Sequence, residues 1–500
     1  MKIAIPALLS LLIPAMAARG ASPTLTPIKR VIIIYQENRS FDHYYGTFPG
    51  VNGILSPDGQ IKPELMGLQV DGQGIPFDTT SNPMPGFQAI PPGLANEPFH
   101  LSTYYPSSVK TADPTHGFDT MRTQAGWTSN GPQLGPFPMN RFVSAGNTGP
   151  LTISHYSQAD IPRYWSLATE WTLADNYFPA AWGPSQLNYQ YLIAGRPMAT
   201  TDGKLDQVTG SGRPAQTHRN IGDLMNDAGV SWAWYVGPGD EDIPTFDGGP
   251  FKYFANAQND PAYQAEHFRK FSQLLSDIAN DTLPSVCFIQ TWCFSEHAGF
   301  GSCNEPVFNC QDFVADLVVT LQGSGAWKDA AILITYDEGG GFWDHASPPQ
   351  YIDVIEGQTY DGTVHADGLF YPVIGDGVRI PLLVISPFAK RGQIARGQYD
   401  ACSITRFIED NWSLSRLNAG TTDVTRDVQV AALNAFCDVF NFPGMLSPPP
   451  DLNGQDISVF LDVLLGLDTD PNHICFADMD NNSLVDDGDV PLFVGAVLAG

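Results

Sequence analysis

Basic residues are scarce in this chain of 500: 25 Lys and Arg stand against 53 Asp and Glu, for a formal charge of −28. Such a polyanion repels phosphate backbones, which sets nucleic acid aside as a partner. A small phosphate ester stays open, because one bound cation overrides the net field locally. Long apolar runs are also missing. The nearest approach is Ile3 to Met16, behind Lys2 and ending in Ala15-Met16-Ala17. It is shorter than the roughly 20 residues a membrane span needs. Residues 1–17 therefore read as a cleaved secretory signal, and the mature chain is expected to be secreted, periplasmic or held at the cell surface. No Cys-x-x-Cys pair occurs among the seven cysteines, so neither a zinc ribbon nor a redox motif is indicated. In an exported chain those cysteines permit disulfides, and one bridge is expected among Cys293, Cys303 and Cys310. Cys287, inside Leu283-Pro-Ser-Val-Cys-Phe-Ile-Gln290, reads as an inert core thiol.

With 48 Gly and 41 Pro the chain is rich in loops, yet 43% hydrophobic residues are too many for general disorder. Short apolar, β-branched runs recur at Val31–Tyr35, 230–235, 285–290, 331–336 and 381–386. Helical periodicity lies between them at about 219–228, 265–280, 311–322 and 402–413. This alternation predicts an α/β domain with a mainly parallel sheet flanked by helices. Residues 50–150 are rich in Gly, Pro and aromatics and are expected to form a long insertion around the site. Pro443-Gly444 and Ser447-Pro-Pro-Pro450 mark a stiff linker at 443–450, dividing a main domain at 25–442 from a module at 451–500.

That last segment holds ten Asp and no Glu, Lys or Arg. Two related apolar stretches, 456–466 and 489–499, lie 33 residues apart and suggest a duplicated loop–helix unit. Before the second stands a run in which Asp478, Asp480, Asn482, Asp486 and Asp489 take the oxygen side-chain positions of an EF-hand loop. The carbonyl of Leu484 takes position seven. One Ca²⁺ is expected there. The first copy has Met445, Ser447 and Pro449 at the corresponding places and no site. The tail resembles dockerin modules, which implies a cohesin-like partner.

Three further motifs carry chemistry. After the first strand comes Gln36-Glu37-Asn38-Arg39-Ser40, where a carboxylate and an amide can hold a metal and a phosphate oxygen; helix capping by Asn38 or Ser40 is the alternative. After the strand at 331–336 come Asp337, Glu338 and three glycines, then Asp344-His345. Adjacent carboxylates behind an apolar strand call for a cation between them. Third, Gly183-Pro184-Ser185 opens an apolar helix. Ser185 there is either a metal-activated nucleophile or a helix cap. His116 and His297 stand in loops, each suited to protonating a leaving oxygen or binding a phosphoryl oxygen, or to a surface role.

Together these pieces resemble the secreted bacterial phosphoesterase family of phospholipases C and acid phosphatases. The matching stretches are Glu37-Asn-Arg-Ser-Phe-Asp-His-Tyr44, Ala159-Asp-Ile-Pro162, Asp175-Asn-Tyr-Phe178, Gly183-Pro-Ser185, Asn188, Ser295-Glu-His297, Asp337-Glu338 with Asp344-His345, and Ser386-Pro387. The resemblance implies an alkaline-phosphatase-like α/β fold. It implies Ser185 as nucleophile and Glu37, Asn38, Asp337 and Glu338 around a divalent metal. His116 and His297 would lie near the phosphoryl group, and Asn38 and His345 would bind substrate phosphate. Many family lipases have Thr-His-Pro-Asn where this chain has Ser185-Gln186-Leu187-Asn188. The family's Asp-His-Thr-Ser is here Asp400-Ala401-Cys402-Ser403. The expected activity is hydrolysis of phosphate esters through a phosphoserine, of phospholipase C type. A broad acid phosphatase and a catalytically silent calcium-binding surface protein are the alternatives.

Overall fold

All five apolar runs become strands of one eight-stranded sheet. The computed structural model describes residues 23–127, 135–198, 215–238, 249–299, 305–351, 375–433, 438–442, 457–467, 477, 485 and 488–499. In chain order the strands are β1 (Arg30–Gln36), β2 (Thr172–Ala174), β3 (Trp232–Val236), β4 (Phe268–Lys270), β5 (Val286–Gln290), β6 (Ala330–Tyr336), β7 (Leu382–Ile385) and β8 (Ile394–Ala395). Across the sheet they run β8-β2-β7-β6-β1-β5-β3-β4. Only β7 runs against its neighbours; every other pairing is parallel. Every residue of β3, β5 and β6 is buried, as expected where helices cover both faces of a parallel sheet. The α/β expectation therefore holds.

The single helix expected at 265–280 is two helices, Pro261–His267 and Phe271–Ala279, with β4 between them. Pairing of Phe268–Lys270 with β3 overrides the local helical period. The insertion carries isolated bridges such as Leu55 with Ile61 and Val70 with Pro76. Its apolar residues, among them Ile54, Met84, Met121, Phe137 and Phe142, form a second core with Trp182, Leu187 and Trp343. The insertion thus packs directly against the segments that carry Ser185 and Asp344.

In the C-terminal segment the helices Ile457–Leu464 and Asp489–Ala499 stack Phe460 on Phe493 at 4.0 Å between ring centroids. Asp489 is buried at the start of the second helix. The other positions of the expected calcium loop, Asp478, Asp480, Asn482, Leu484 and Asp486, lie outside the described residues, as do the expected signal at 1–17 and the expected linker at 443–450. Among the described residues no helix is long and apolar enough to cross a membrane. Cys293 is disulfide-bonded, to a partner outside the described residues. Cys310 is a free buried thiol and so is not that partner. Cys287 is likewise free and fully buried in β5, and burial pushes its thiol up, which keeps it inert.

Candidate active site

Three parallel strands deliver their following residues to one place, beyond the carboxyl ends of the sheet. Gln36 is in register with Tyr336, so Glu37 and Asp337 leave the sheet side by side. The Asp337 amide donates to the Gln36 carbonyl at 3.1 Å, the Glu37 amide to Ser295 at 2.8 Å and the Arg39 amide to Glu338 at 3.0 Å. The turns after β1, β5 and β6 are thereby sewn together. Asn38 sits at φ 67°, a left-handed conformation uncommon for a side-chain-bearing residue. Its amide N–H donates to Asp337 Oδ1 at 3.0 Å, while its buried side-chain oxygen and nitrogen have no hydrogen-bond partner. Ser40, not Asn38, is the helix cap: it accepts from the His43 amide at 3.4 Å and opens the helix Phe41–Tyr45. Gly340 is required beside this turn, since a Cβ there would lie 2.4 Å from the Asn38 Cβ.

Asp337 and Glu338 are both fully buried. Asp337 Oδ1 accepts from the amides of Asn38 and Glu338, the latter at 2.8 Å, and Oδ2 has no partner. Glu338 Oε1 accepts from Ser185 Oγ at 3.1 Å, and Oε2 has no partner. Burial, and after it the neighbouring acids, push both carboxyls well above the usual range. Unpartnered buried oxygens on two acids and an unpartnered amide beside them are a donor set that fits a hard divalent cation. Ser185 is the first residue of the helix Ser185–Ala194. The cap position belongs to Pro184, which makes no side-chain cap bond. The serine hydroxyl is therefore not spent on capping. At Gly183, φ is 126° and an added Cβ would meet Glu338 Oε2 at 2.2 Å. Asn188 secures the preceding turn by exchanging hydrogen bonds with the Ala181 backbone at 2.9 and 3.2 Å.

His116 and His297 face each other, with ring centroids 5.7 Å apart. Nδ1 of His116 bonds the Pro114 carbonyl at 2.6 Å, and Nδ1 of His297 bonds the Ala298 carbonyl at 2.5 Å. A carbonyl only accepts, so Nδ1 carries a proton in each ring and Nε2 is left for chemistry. His297 Nε2 lies 4.0 Å from Glu37 Oε2. Asp113, His116 and His297 form one group able to hold a metal; Asp42, Asp344 and His345 form another. In the second group Arg379 already supplies the positive charge, 3.1 Å from each of Asp42 and Asp344. Both ring nitrogens of His345 are engaged, Nδ1 with Asp42 at 2.7 Å and Nε2 with Asn52 at 3.1 Å. His345 thus belongs to a buried ion network that ties the turn after β1 to the loop after β6.

Several partners were not singled out from sequence. Tyr189 donates to Glu37 Oε1 at 2.7 Å. It stands four residues after Ser185 on the same helix face, a spacing that could have flagged it. Asp113 stands three residues before His116, in Asp113-Pro-Thr-His116. Arg379 gave no local signal. Trp127 and Trp182 are core: Trp182 is fully buried, and the Arg122 guanidinium covers the Trp127 ring at 3.9 Å. At the departure near the C-terminal helix, Asp400 caps Ala401–Asn411, and the buried Cys402 thiol faces the Tyr191 carbonyl at 3.2 Å.

The chain is similar to the hemolytic phospholipase C of Pseudomonas aeruginosa, 26% identical over 439 residues, covering 79% of this chain and 54% of that protein. It is 29% identical over 414 residues to phospholipase C A of Mycobacterium tuberculosis, covering 78% of this chain and 74% of that one. With the non-specific phospholipase C6 of Arabidopsis thaliana it shares 25% identity over 415 residues, 80% of this chain and 70% of the relative. It thus spans about half the length of the first relative and more of the other two. The phosphoesterase family profile matches residues 28–415, which include every residue of the site just described. The chain belongs to the phosphoesterase family, a family of phosphoric ester hydrolases.

Proposed function

We propose that this protein is an exported, metal-dependent phosphoesterase of phospholipase C type, built on an alkaline-phosphatase-like scaffold and using Ser185 as nucleophile. The observation that carries the reading is the Ser185 hydroxyl bonded to Glu338 beside buried acid oxygens that lack any partner. Glu37, Asn38, Asp337 and Glu338 would hold the divalent cation. When bound, it supplies neutralising charge to the phosphoryl oxygens and favours the serine alkoxide.

The remaining steps belong to the side chains. The Asn38 side-chain Nδ2, which has no hydrogen-bond partner, donates to a phosphoryl oxygen. The Ser185 proton departs along the hydrogen bond to Glu338 Oε1 as Oγ attacks phosphorus in line. The Oγ–P bond forms and the bond from phosphorus to the leaving oxygen breaks. His116 or His297, as an imidazolium with a proton on Nε2 as well as on the carbonyl-bonded Nδ1, protonates that oxygen from Nε2, releasing an alcohol. Water then attacks phosphorus and gives a proton back to that histidine; the Oγ–P bond breaks, Oγ recovers its proton from Glu338, and the phosphate product leaves. Tyr189 holds Glu37 in place throughout.

The phospholipase C reading rests on the names of the relatives. Trp127 and Trp182 offer no free face to a choline group, so neither supports a choline-specific site, and the acid phosphatase reading is the alternative. Export rests on residues 1–17, and a Ca²⁺-loaded, partner-binding module at 451–500 rests on the loop spacing from Asp478 to Asp489. Hydrolysis of phosphatidylcholine, a soluble phosphodiester and a phosphomonoester, each with and without chelator, tests the whole reading. The expected result is chelator-sensitive hydrolysis that Ser185→Ala lowers by on the order of 10³-fold or more. Near-normal turnover by Ser185→Ala would remove it as nucleophile. A metal-free, inactive wild type would favour a silent surface protein.

A further inference from the structure

Behind the site lies a carboxylate that the proposed chemistry leaves unused. Glu296, only 1% exposed, adopts φ 73° immediately before His297. Its Oε2 accepts from Tyr44 at 2.5 Å and from Tyr336 at 3.1 Å. Its Oε1 accepts from Gln36 Nε2 at 3.1 Å and from the Tyr164 hydroxyl. A carboxylate offers about four acceptor positions, and all four are taken, which is the satisfied state of an ionised group. The counter-charge is the buried Arg39 guanidinium, whose Nε donates to the Tyr44 hydroxyl at 3.0 Å.

The partners have a pattern. Gln36 precedes Glu37 in the chain, Tyr336 precedes Asp337, and Glu296 itself precedes His297. Successive strand residues point to opposite faces, so a bond made by residues 36 and 336 on one side fixes where 37 and 337 stand on the other. Gln36 and Tyr336 are already in register across β1 and β6. Gln36 Nε2 also reaches the Phe294 carbonyl at 3.0 Å, joining the β5 turn to the same knot.

We propose that Glu296 is a positioning residue: by gathering Gln36, Tyr336, Tyr44 and Tyr164 on the rear face, it sets the spacing of Glu37, Asp337 and His297 on the reacting face. This rests on the reading of those three as site residues. The test uses the full-length, metal-loaded protein, a chromogenic phosphoester and a chelator titration. Glu296→Gln is isosteric but leaves Arg39 without its counter-charge and puts an N–H₂ against hydroxyl donors. It should lower kcat roughly 10- to 100-fold, with a smaller change in KM, and release the metal at lower chelator concentration. Tyr336→Phe and Tyr44→Phe each remove one donor and should give smaller losses in the same two readouts. Val314→Ala, in the core of the helix Val307–Gln322, is the control for general destabilisation and should leave kcat unchanged at a matched loss of Tm. If Glu296→Gln does not fold, the two tyrosine variants decide. Wild-type kcat and chelator sensitivity in the folded variants would overturn the proposal, as would an equal loss of kcat in Val314→Ala. If the wild type hydrolyses no phosphoester, the catalytic reading fails by itself, while metal retention across the same variants still decides this one.

Discussion

Gly183 shows how little room the site leaves. Alanine there would place its Cβ 2.2 Å from Glu338 Oε2 and 2.8 Å from the His116 carbonyl, at a φ of 126°. Gly183→Ala is expected to cost about 1–3 kcal/mol of stability and to reduce hydrolysis at least as much as it reduces Tm, because what must move is a proposed metal ligand. Chemical denaturation alongside turnover checks both. A different residue contributes to an acid limit. His218 has an unpartnered buried Nε2, and burial, helped by Arg196, pushes it from 6.5 down to about 3. The folded chain refuses a proton that the unfolded chain accepts. Its contribution is therefore complete above about pH 6.5 and is lost as pH falls toward 3, at up to ~1.4 kcal/mol per pH unit. His218→Leu should flatten Tm against pH across that window, and an unaltered curve would show that other groups set the acid limit. At this scale the sequence marked Glu37, Asn38, Asp337, Glu338 and Ser185 because each follows a strand end or opens a helix, positions that local pattern reveals. Arg379 and Tyr189 were not marked, and Glu296 stood inside Ser295-Glu-His297 without a role, because their partners lie far off in the chain.

Elements were legible in proportion to their length and burial. β1, β5 and β6 are continuous apolar runs, and the sequence located each to within about a residue. β2 and β8, of 3 and 2 residues, are too short to show a period. β4 borrows its structure from β3 and carries no signal of its own. The helix Ala401–Asn411 illustrates how an element is fixed at its first turn. Asp400 accepts from the amides of Cys402 at 2.7 Å and Ser403 at 3.2 Å, and from the buried Arg426 at 3.2 Å. Arg426 keeps Asp376 at 2.6 Å as a second partner. Asp400→Ala is accordingly expected to cost about 1–3 kcal/mol, from cap and hydrogen-bond loss, rather than the larger penalty of a stranded charge. Urea denaturation measures it. Asp400→Asn should recover much of the cap but not the ion pair.

For the molecule as a whole, the proposed cation would link metal content to stability. A ligand bound only to the folded state at 100 times its Kd adds about 2.7 kcal/mol, so chelation should lower Tm, and re-addition of the metal should restore it. Calorimetry with and without chelator checks this; a Tm indifferent to chelation would speak against a resident cation. The two C-terminal helices bury Phe460, Val463 and Phe493 in a cluster of their own. Removing residues 443–500 should therefore leave phosphoester turnover unchanged. The sheet order has a consequence in time. Arg30 on β1 pairs with Ala330 on β6, so the two strands that carry most of the acid site are made 300 residues apart. At roughly 5–20 residues per second, β1 waits on the order of 15–60 s for its partner during synthesis. Through that interval no catalytic centre exists, and the growing chain is an inert polypeptide. The proposed ester-cleaving activity would then be switched on only when nearly the whole domain is available to fold, a delay written into strand order alone.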